Sequence, residues 1–273
     1  MNKNVILGMS NSDYHGSKGV SKSGLDLVAK SPLHYWSKYL DPKREPQQPT
    51  AAMLLGTSIH TAVLEPELFA SDYLVAPAVD RRTKDGKATW EAFVAECEAE
   101  GKTSISPGDL EVCNSIAAVV RSHPTATELL GKGTAEVSMF WDDKETGVLC
   151  KCRPDWITSA DVIVDLKSTT DASPEGFARS AYNFRYWVQA AWYLDGIEQA
   201  TGARPEAFVF VAFEKEPPYA CGFYYATDEM IEAGRAEYRR LLDLYADCLQ
   251  TNNWRGYSQE LLPLQMPAWF KAA

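Results

Sequence analysis

The chain has 273 residues, 45% hydrophobic and 23% charged, with 8 Trp and 13 Tyr, which is the composition of a folded protein with room for one large domain. No segment approaches the roughly 20 apolar residues of a membrane helix, and the run Met1 to Gly16 is too weakly apolar for a signal peptide, so a cytoplasmic protein with no membrane partner is expected. The formal net charge of −10, from 27 basic and 37 acidic residues, argues against nucleic acid as a partner only weakly, because binding depends on where the charges sit.

Ser21 or Ser23 is placed to cap a helix through Leu25, Leu27 and Val28 to about Tyr39, where Pro42 stops it; Ser31-Pro32 is an alternative start for a second short helix. A Pro-rich link from Asp41 to Pro49 leads into a helix of small and apolar residues from about Ala51 to Leu64. A short strand near Tyr73 to Ala76 comes before a polar loop, Arg81 to Lys87, and two helices near Thr89–Glu100 and Pro107–Arg121. Lys30 to Arg44 and Arg81 to Lys87 are the two locally basic stretches, and for the second a solvated loop is the plainer reading than a phosphate contact.

The pattern then changes from helical to alternating. Ala135 to Trp141 reads as one strand, turned by Asp142 to Gly147 into a second from Val148 to about Ile157, and Asp161 to Lys167 makes a third around Val162, Ile163 and Val164. A helix of about 15 residues carries Ala190, Ala191, Trp192 and Leu194 and ends before Gly202. Ala207 to Phe213 and Cys221 to Ala226 are further strands joined across Pro217-Pro218. A long amphipathic helix, about Asp228 to Gln250, places Ile231, Tyr238, Leu241, Leu242 and Tyr245 on one face. The expectation is an α/β (α+β) single domain over 1–273, a central mixed sheet flanked by helices. Within it, 1–130 is mainly helical, 134–226 is the sheet core, 227–250 is the last helix and 251–273 a tail. Leu261 to Phe270 is apolar for a chain end: either a tail packed on the domain, slightly preferred, or a docking strip.

Six cysteines are scattered, and only Cys150 and Cys152 are close, on one face of a strand. No C-x-x-C or further ligand spacing accompanies them, so reduced buried thiols are expected and no zinc site or iron–sulfur cluster.

The chemistry-bearing stretch is Arg153-Pro154-Asp155, then Asp165-Leu166-Lys167. Adjacent pairing of their strands brings the two carboxylates together, and strand alternation turns Asp165 and Lys167 to one side with Leu166 toward the core. Two carboxylates about 4 Å apart repel by roughly 4 kcal/mol at an effective dielectric near 20. A hard divalent cation offsets that better than a lysine alone, and Mg²⁺ favours one or two carboxylates plus substrate phosphate. A D-x-K triplet by itself is weak, and a surface hairpin with ordinary salt bridges is the bland alternative. Its context is stronger: a Pro-Asp upstream, an apolar strand leading in, and hydroxyls at Ser168, Thr169 and Thr170 immediately after.

The P-D…D-x-K pattern resembles the PD-(D/E)-x-K nuclease superfamily, and further motifs are similar to its RecB-like branch, in particular the RecE-type phage exonucleases (exodeoxyribonuclease VIII). Gly56-Thr57-Ser58-Ile59-His60 looks like that branch's G-x-x-x-H helix motif, Glu136 matches its upstream acidic position, and Gln189 to Tyr193 reads as its Q-x-x-x-Y helix motif. Ser21 to Leu25 followed by Ser31 to Tyr35 resembles the opening helices, and the polar loop Asp80 to Lys84 is similar in kind. The likeness runs from about Ser21 to Gln250.

This resemblance implies a restriction-endonuclease-like core with Asp155, Asp165, the main-chain carbonyl of Leu166, and His60 as metal ligands, and Glu136 reaching a second metal or its water. Lys167 positions the nucleophile, while Gln189 and Tyr193 hold Lys167 or the scissile strand. Without the likeness, His60 reads as a satisfied core histidine and the Gln189/Tyr193 pair as ordinary amphipathicity. Arg153, Ser168, Thr169, Arg81, Arg82 and Lys84 are candidate DNA contacts, with clamping of the sheet the alternative for Arg153. The implied cofactor is Mg²⁺, or Mn²⁺, two per site. The implied activity is digestion of double-stranded DNA ends, 5′ to 3′, by a ring-shaped homo-oligomer (trimer or tetramer) working with a single-strand annealing protein in a bacterial host cell, phage- or prophage-encoded. A site- or structure-specific endonuclease and a non-catalytic DNA-end-binding module are the competing readings.

Overall fold

The β-branched run Val162-Ile163-Val164 builds the middle of the molecule, since such side chains pack well on a pleated surface buried on both faces. The computed structural model describes residues 4–45 and 48–266. The N-terminal part contains β1 (Val5–Ile6), α1 (Asn11–Gly16), α2 (Lys22–Lys30), α3 (Pro32–Tyr39), α4 (Ala51–Leu64), α5 (Pro66–Asp72), β2 (Tyr73–Val75) and α6 (Lys84–Glu100). It continues with β3 (Thr103–Ile105), α7 (Pro107–Ser122) and α8 (Pro124–Leu129). The sheet region holds β4 (Gly133–Ala135), β5 (Ser138–Asp142), β6 (Leu149–Cys152), β7 (Trp156–Thr158) and β8 (Val162–Thr169). After it come α9 (Pro174–Asn183), α10 (Tyr186–Thr201), β9 (Ala207–Glu214), β10 (Cys221–Tyr225) and α11 (Asp228–Thr251).

The principal sheet runs β10-β9-β8-β7-β4, mixed because β8 and β9 are parallel and the other pairs antiparallel. One face packs on α2, α10 and α11 through Ile163, Phe208, Phe210, Val188, Trp192 and Leu241. The other packs on α4 and α7 through Val164, Leu166, Val211, Ile59 and Ile116. The expected mixed sheet flanked by helices is therefore the architecture.

Two strands read as continuous are each broken. Ala135 to Trp141 divides at Glu136, whose φ of 50° bends the chain, so that β4 joins the principal sheet and β5 joins β1 and β6 in a second, three-stranded sheet. Val148 to Ile157 divides at Arg153-Pro154-Asp155, where a proline has no N–H for a ladder. The ladder spans the break through a hydrogen bond from Glu136 N to Asp155 O at 3.0 Å. Both carboxylate-bearing residues thus sit where a hairpin crosses from one sheet to the other. Bulges and corners of this kind re-aim side chains.

Other boundaries shift for local reasons. Thr83 caps α6 by accepting from Gly86 N at 3.0 Å, so the helix begins inside the stretch read as a polar loop, with Lys84 its first residue. Ser21 rather than Ser23 caps α2, and Pro32 at the first position of α3 makes two helices of the first segment. The short elements α1, α5, α8, β1 and β3 carry no strong periodicity in the sequence, and small and polar residues hide α9. All six cysteines are free, and Cys150 and Cys152 are buried side by side in the core. At the chain end Leu261, Leu262, Leu264 and Met266 are exposed, against the reading of a packed tail, and the rest of that apolar segment, 267–270, lies outside the described residues.

Candidate active site

Each of the polar groups that converge here is aimed by a different element. His60 lies toward the C-terminal end of α4, on one face of the principal sheet. Gln189 lies in the first turn of α10, on the opposite face. The sheet-crossing residues Glu136 and Asp155 lie between them, and Asp165 and Lys167 share the α10 side of β8. The two helices therefore approach from opposite faces of the sheet.

His60, Glu136 and Asp155 offer ligand atoms that all lie within 4.8 Å of one another. His60 Nδ1 is 3.5 Å from Asp155 Oδ2, and that oxygen also accepts from Leu166 N at 2.7 Å, which pins the carboxylate to β8. Asp165 is buried, its side chain 1% exposed, with one oxygen accepting from Gln189 Nε2 at 2.6 Å and the other ion-paired to Lys167. That second oxygen has no hydrogen bond of good geometry, leaving lone-pair capacity inside the protein. Arg153 Nε is 2.6 Å from Glu136 Oε2, and Arg153 and Lys151 flank the Tyr14 ring at 5.4 and 4.8 Å.

Three carboxylates thus face two fixed cations and an imidazole. Burial pushes the Glu136 carboxyl up to about 7, with Asp155 adding to the rise and Arg153 opposing it. Burial raises Asp165 as well, against the pull of Lys167. For Lys167, burial disfavours the ammonium, but Asp165 and Asp155 outweigh it and hold the proton on. The surplus of acidic groups and the imidazole suit a hard divalent cation.

The structure brings together Asp155, Asp165, Lys167, His60, Glu136 and Gln189. Of the α10 pair, Gln189 Nε2 donates to Asp165, the ion-pair partner of Lys167, and the Tyr193 ring packs edge-on against Phe208 at 6.0 Å. The residue against Lys167 is Tyr186, whose ring centroid is 4.9 Å from the ammonium. Its position three before Gln189 on one helix face was the signal available in the sequence. Arg153 is committed to Glu136 and to the carbonyl of Ser10 at 3.4 Å, the clamping alternative.

Ser168 is exposed and, by strand alternation, faces away from Lys167. Thr169 donates to Asp171 O at 3.1 Å and pairs with Ser180 Oγ at 3.3 Å, organising the turn into α9. Arg82 is forked onto Asp80 and Arg81 covers Trp90 at 4.4 Å, while Lys84 opens α6.

A family model described as a PDDEXK-like domain of unknown function (DUF3799) matches residues 21–261. A crystal structure of a candidate exonuclease from Eubacterium rectale superposes with a TM-score of 0.58 at 15% identity, covering 93% of this chain and 97% of that one, a likeness of fold. An alkaline exonuclease from Laribacter hongkongensis gives a TM-score of 0.29 at 14% identity over 72% and 97% of the two chains. No curated protein matches the sequence.

Proposed function

This chain belongs to the PDDEXK-like domain family (DUF3799), and from that premise we propose that it is a metal-dependent exodeoxyribonuclease acting on the ends of double-stranded DNA. The observation that carries the reading is the convergence of His60, Glu136 and Asp155 within 4.8 Å beside the Asp165–Lys167 pair. His60, Glu136, Asp155, Asp165 and the Leu166 carbonyl would hold Mg²⁺ or Mn²⁺, in one or two positions. Such a cation supplies Lewis acidity toward a phosphoryl oxygen and lowers the pKa of bound water.

The chain's own groups do the rest. Lys167, kept protonated by its carboxylate neighbours, sets a positive charge where the phosphorane develops negative charge, and orients the attacking water. Gln189 fixes the rotation of Asp165, and Leu166 N fixes Asp155, so both carboxylates are organised before substrate arrives. Arg153 does the same for Glu136.

The finer reading is 5′-to-3′ digestion leaving 3′ overhangs for a single-strand annealing partner, with several copies forming a ring around the duplex. A ring suits the charge of −10, because enclosure retains DNA where long-range attraction does not. Digestion of end-labelled linear duplex and of covalently closed circles, with and without Mg²⁺, tests the proposal. Release of 5′-end label only from linear DNA, only with metal, and lost in Asp165→Ala, is the expected result. Cutting of the closed circle would point to an endonuclease instead. Cleavage unchanged in Asp165→Ala would remove the site assignment.

A further inference from the structure

Two exposed large aromatics at the end of α9 play no part in the chemistry above. Phe184, just past the end of α9, is 62% exposed, and Tyr182, in its last turn, is 75% exposed. Each leaves most of an apolar ring in water, where burial would ordinarily be favoured.

Phe184 is nonetheless held in place. Its carbonyl accepts from Lys22 Nζ at 2.8 Å, and Lys22 is anchored on Asp26 at 2.8 Å. Arg185 follows in the left-handed region, φ 57°, where ion pairs to Asp26 at 3.2 Å and Glu237 at 3.0 Å retain it. The Phe184 ring stacks on Tyr186, 5.8 Å between centroids at 25°, and Tyr186 is the ring beside the Lys167 ammonium at 4.9 Å. A single ring therefore separates the exposed aromatic from the group assigned to the scissile phosphate. Arg179, 70% exposed one turn before Tyr182 on α9, makes a 3.5 Å contact with Asp171.

An open aromatic ring with the Lys167 ammonium one ring further in, beyond Tyr186, is complementary to a nucleotide, which joins a flat base to an anionic phosphate at short range. An apolar peptide would find charged neighbours here instead of aliphatic ones. We propose that Phe184, assisted by Tyr182, is a stacking platform for the base next to the cleaved phosphate, so that this site takes an unpaired DNA end rather than an intact terminal base pair. The inference rests on the nuclease reading above and adds the form of the substrate at the point of cleavage.

The test uses the full chain in EDTA, with short single-stranded DNA carrying an abasic nucleotide at each of the terminal positions in turn. Affinity is read by fluorescence anisotropy for wild type, Phe184→Ala and Phe184→Trp. At one position the abasic gap should weaken wild type about tenfold. Phe184→Ala should lose about the same on intact DNA and be insensitive to that gap, with Phe184→Trp like wild type. Equal sensitivity of wild type and Phe184→Ala at every position overturns the platform. So does a change of oligomeric state in Phe184→Ala, by light scattering, with gap sensitivity unchanged, since a second copy of the chain would then cover this face. Wild-type protein that neither binds nor cleaves DNA would instead overturn the nuclease reading itself. A melting temperature for Phe184→Ala matching wild type confirms that the exposed substitution leaves the fold intact.

Discussion

Replacing Gln189 by Leu removes the amide hydrogen bond that helps orient Asp165. Gln189 is 7% exposed and Asp165 almost fully buried, so water cannot substitute for the lost Nε2 donor, 2.6 Å from the carboxylate. Hydrogen bonds to charged groups contribute about 1.5–3 kcal/mol, and a buried acceptor left unpaired costs a similar amount. Leu keeps most of the side-chain volume, so little cavity cost is added; Gln189→Ala leaves a void and loses more. For a domain of this size each kcal/mol moves Tm by about 2–4 °C, which gives a drop of roughly 3–12 °C for Gln189→Leu in metal-free buffer. Freed to rotate, Asp165 should also lower cleavage about 10- to 100-fold, the range for lost support of a metal-holding side chain. The assay is a double-mutant cycle with Asp165→Ala, read by chemical denaturation, with cleavage of labelled duplex measured on the single mutants. A coupling energy near zero, or a Gln189→Leu melting point within about a degree of wild type, would refute the reasoning.

Lys167→Met should lower cleavage by at least about 100-fold, and also destabilise the protein by about 3 kcal/mol, because Asp165 is left a buried charge without its partner; DNA affinity in EDTA should change only a few-fold. Adding Mg²⁺ or Mn²⁺ should raise the Tm of wild type, by the equivalent of about 2.7 kcal/mol at a hundred times Kd, and the shift should vanish in Asp155→Ala; no shift in wild type contradicts the metal assignment. Gly196→Ala in α10 should destabilise by about 1–3 kcal/mol, although the exchange ordinarily favours a helix, because the added Cβ would come within 2.3 Å of the Trp141 indole; a raised Tm would show that the indole moves freely. Asp143 supplies the pH test: burial pushes its carboxyl up, but Arg239 and the N–H and hydroxyl of Thr146 more than offset this and hold it at about 2. A folded pKa below the unfolded one, about 3.9, means stability present above pH 4 and lost as pH falls toward 2, on the order of 2 kcal/mol. The stability gap between wild type and Arg239→Met, by denaturant titration, should shrink over that window; a constant gap from pH 6 to 2 would remove the pair from the acid response.

Much of the site was legible because it depends on short-range rules. Strand alternation alone sets Asp165 and Lys167 on one side of β8 and Leu166 on the other, and helical spacing alone puts Gln189 and Tyr193 on one face of α10. The cap at Ser21 acts within three residues and marks a helix start locally. What the sequence could not contain was the bend at Glu136. A glutamate with positive φ is disfavoured locally, and the hairpin's crossing between two sheets holds it there, through Asp155 O and the Arg153 ion pair. The same holds for pairings over long separations: Gln189 with Asp165, Arg153 with Ser10, Lys22 with the Phe184 carbonyl. Sequence determined which groups could carry the chemistry and which way each faced on its own element. Tertiary structure decided which of them meet, because only packing α4 and α10 on opposite faces of one sheet brings His60 and Gln189 to the same pair of aspartates.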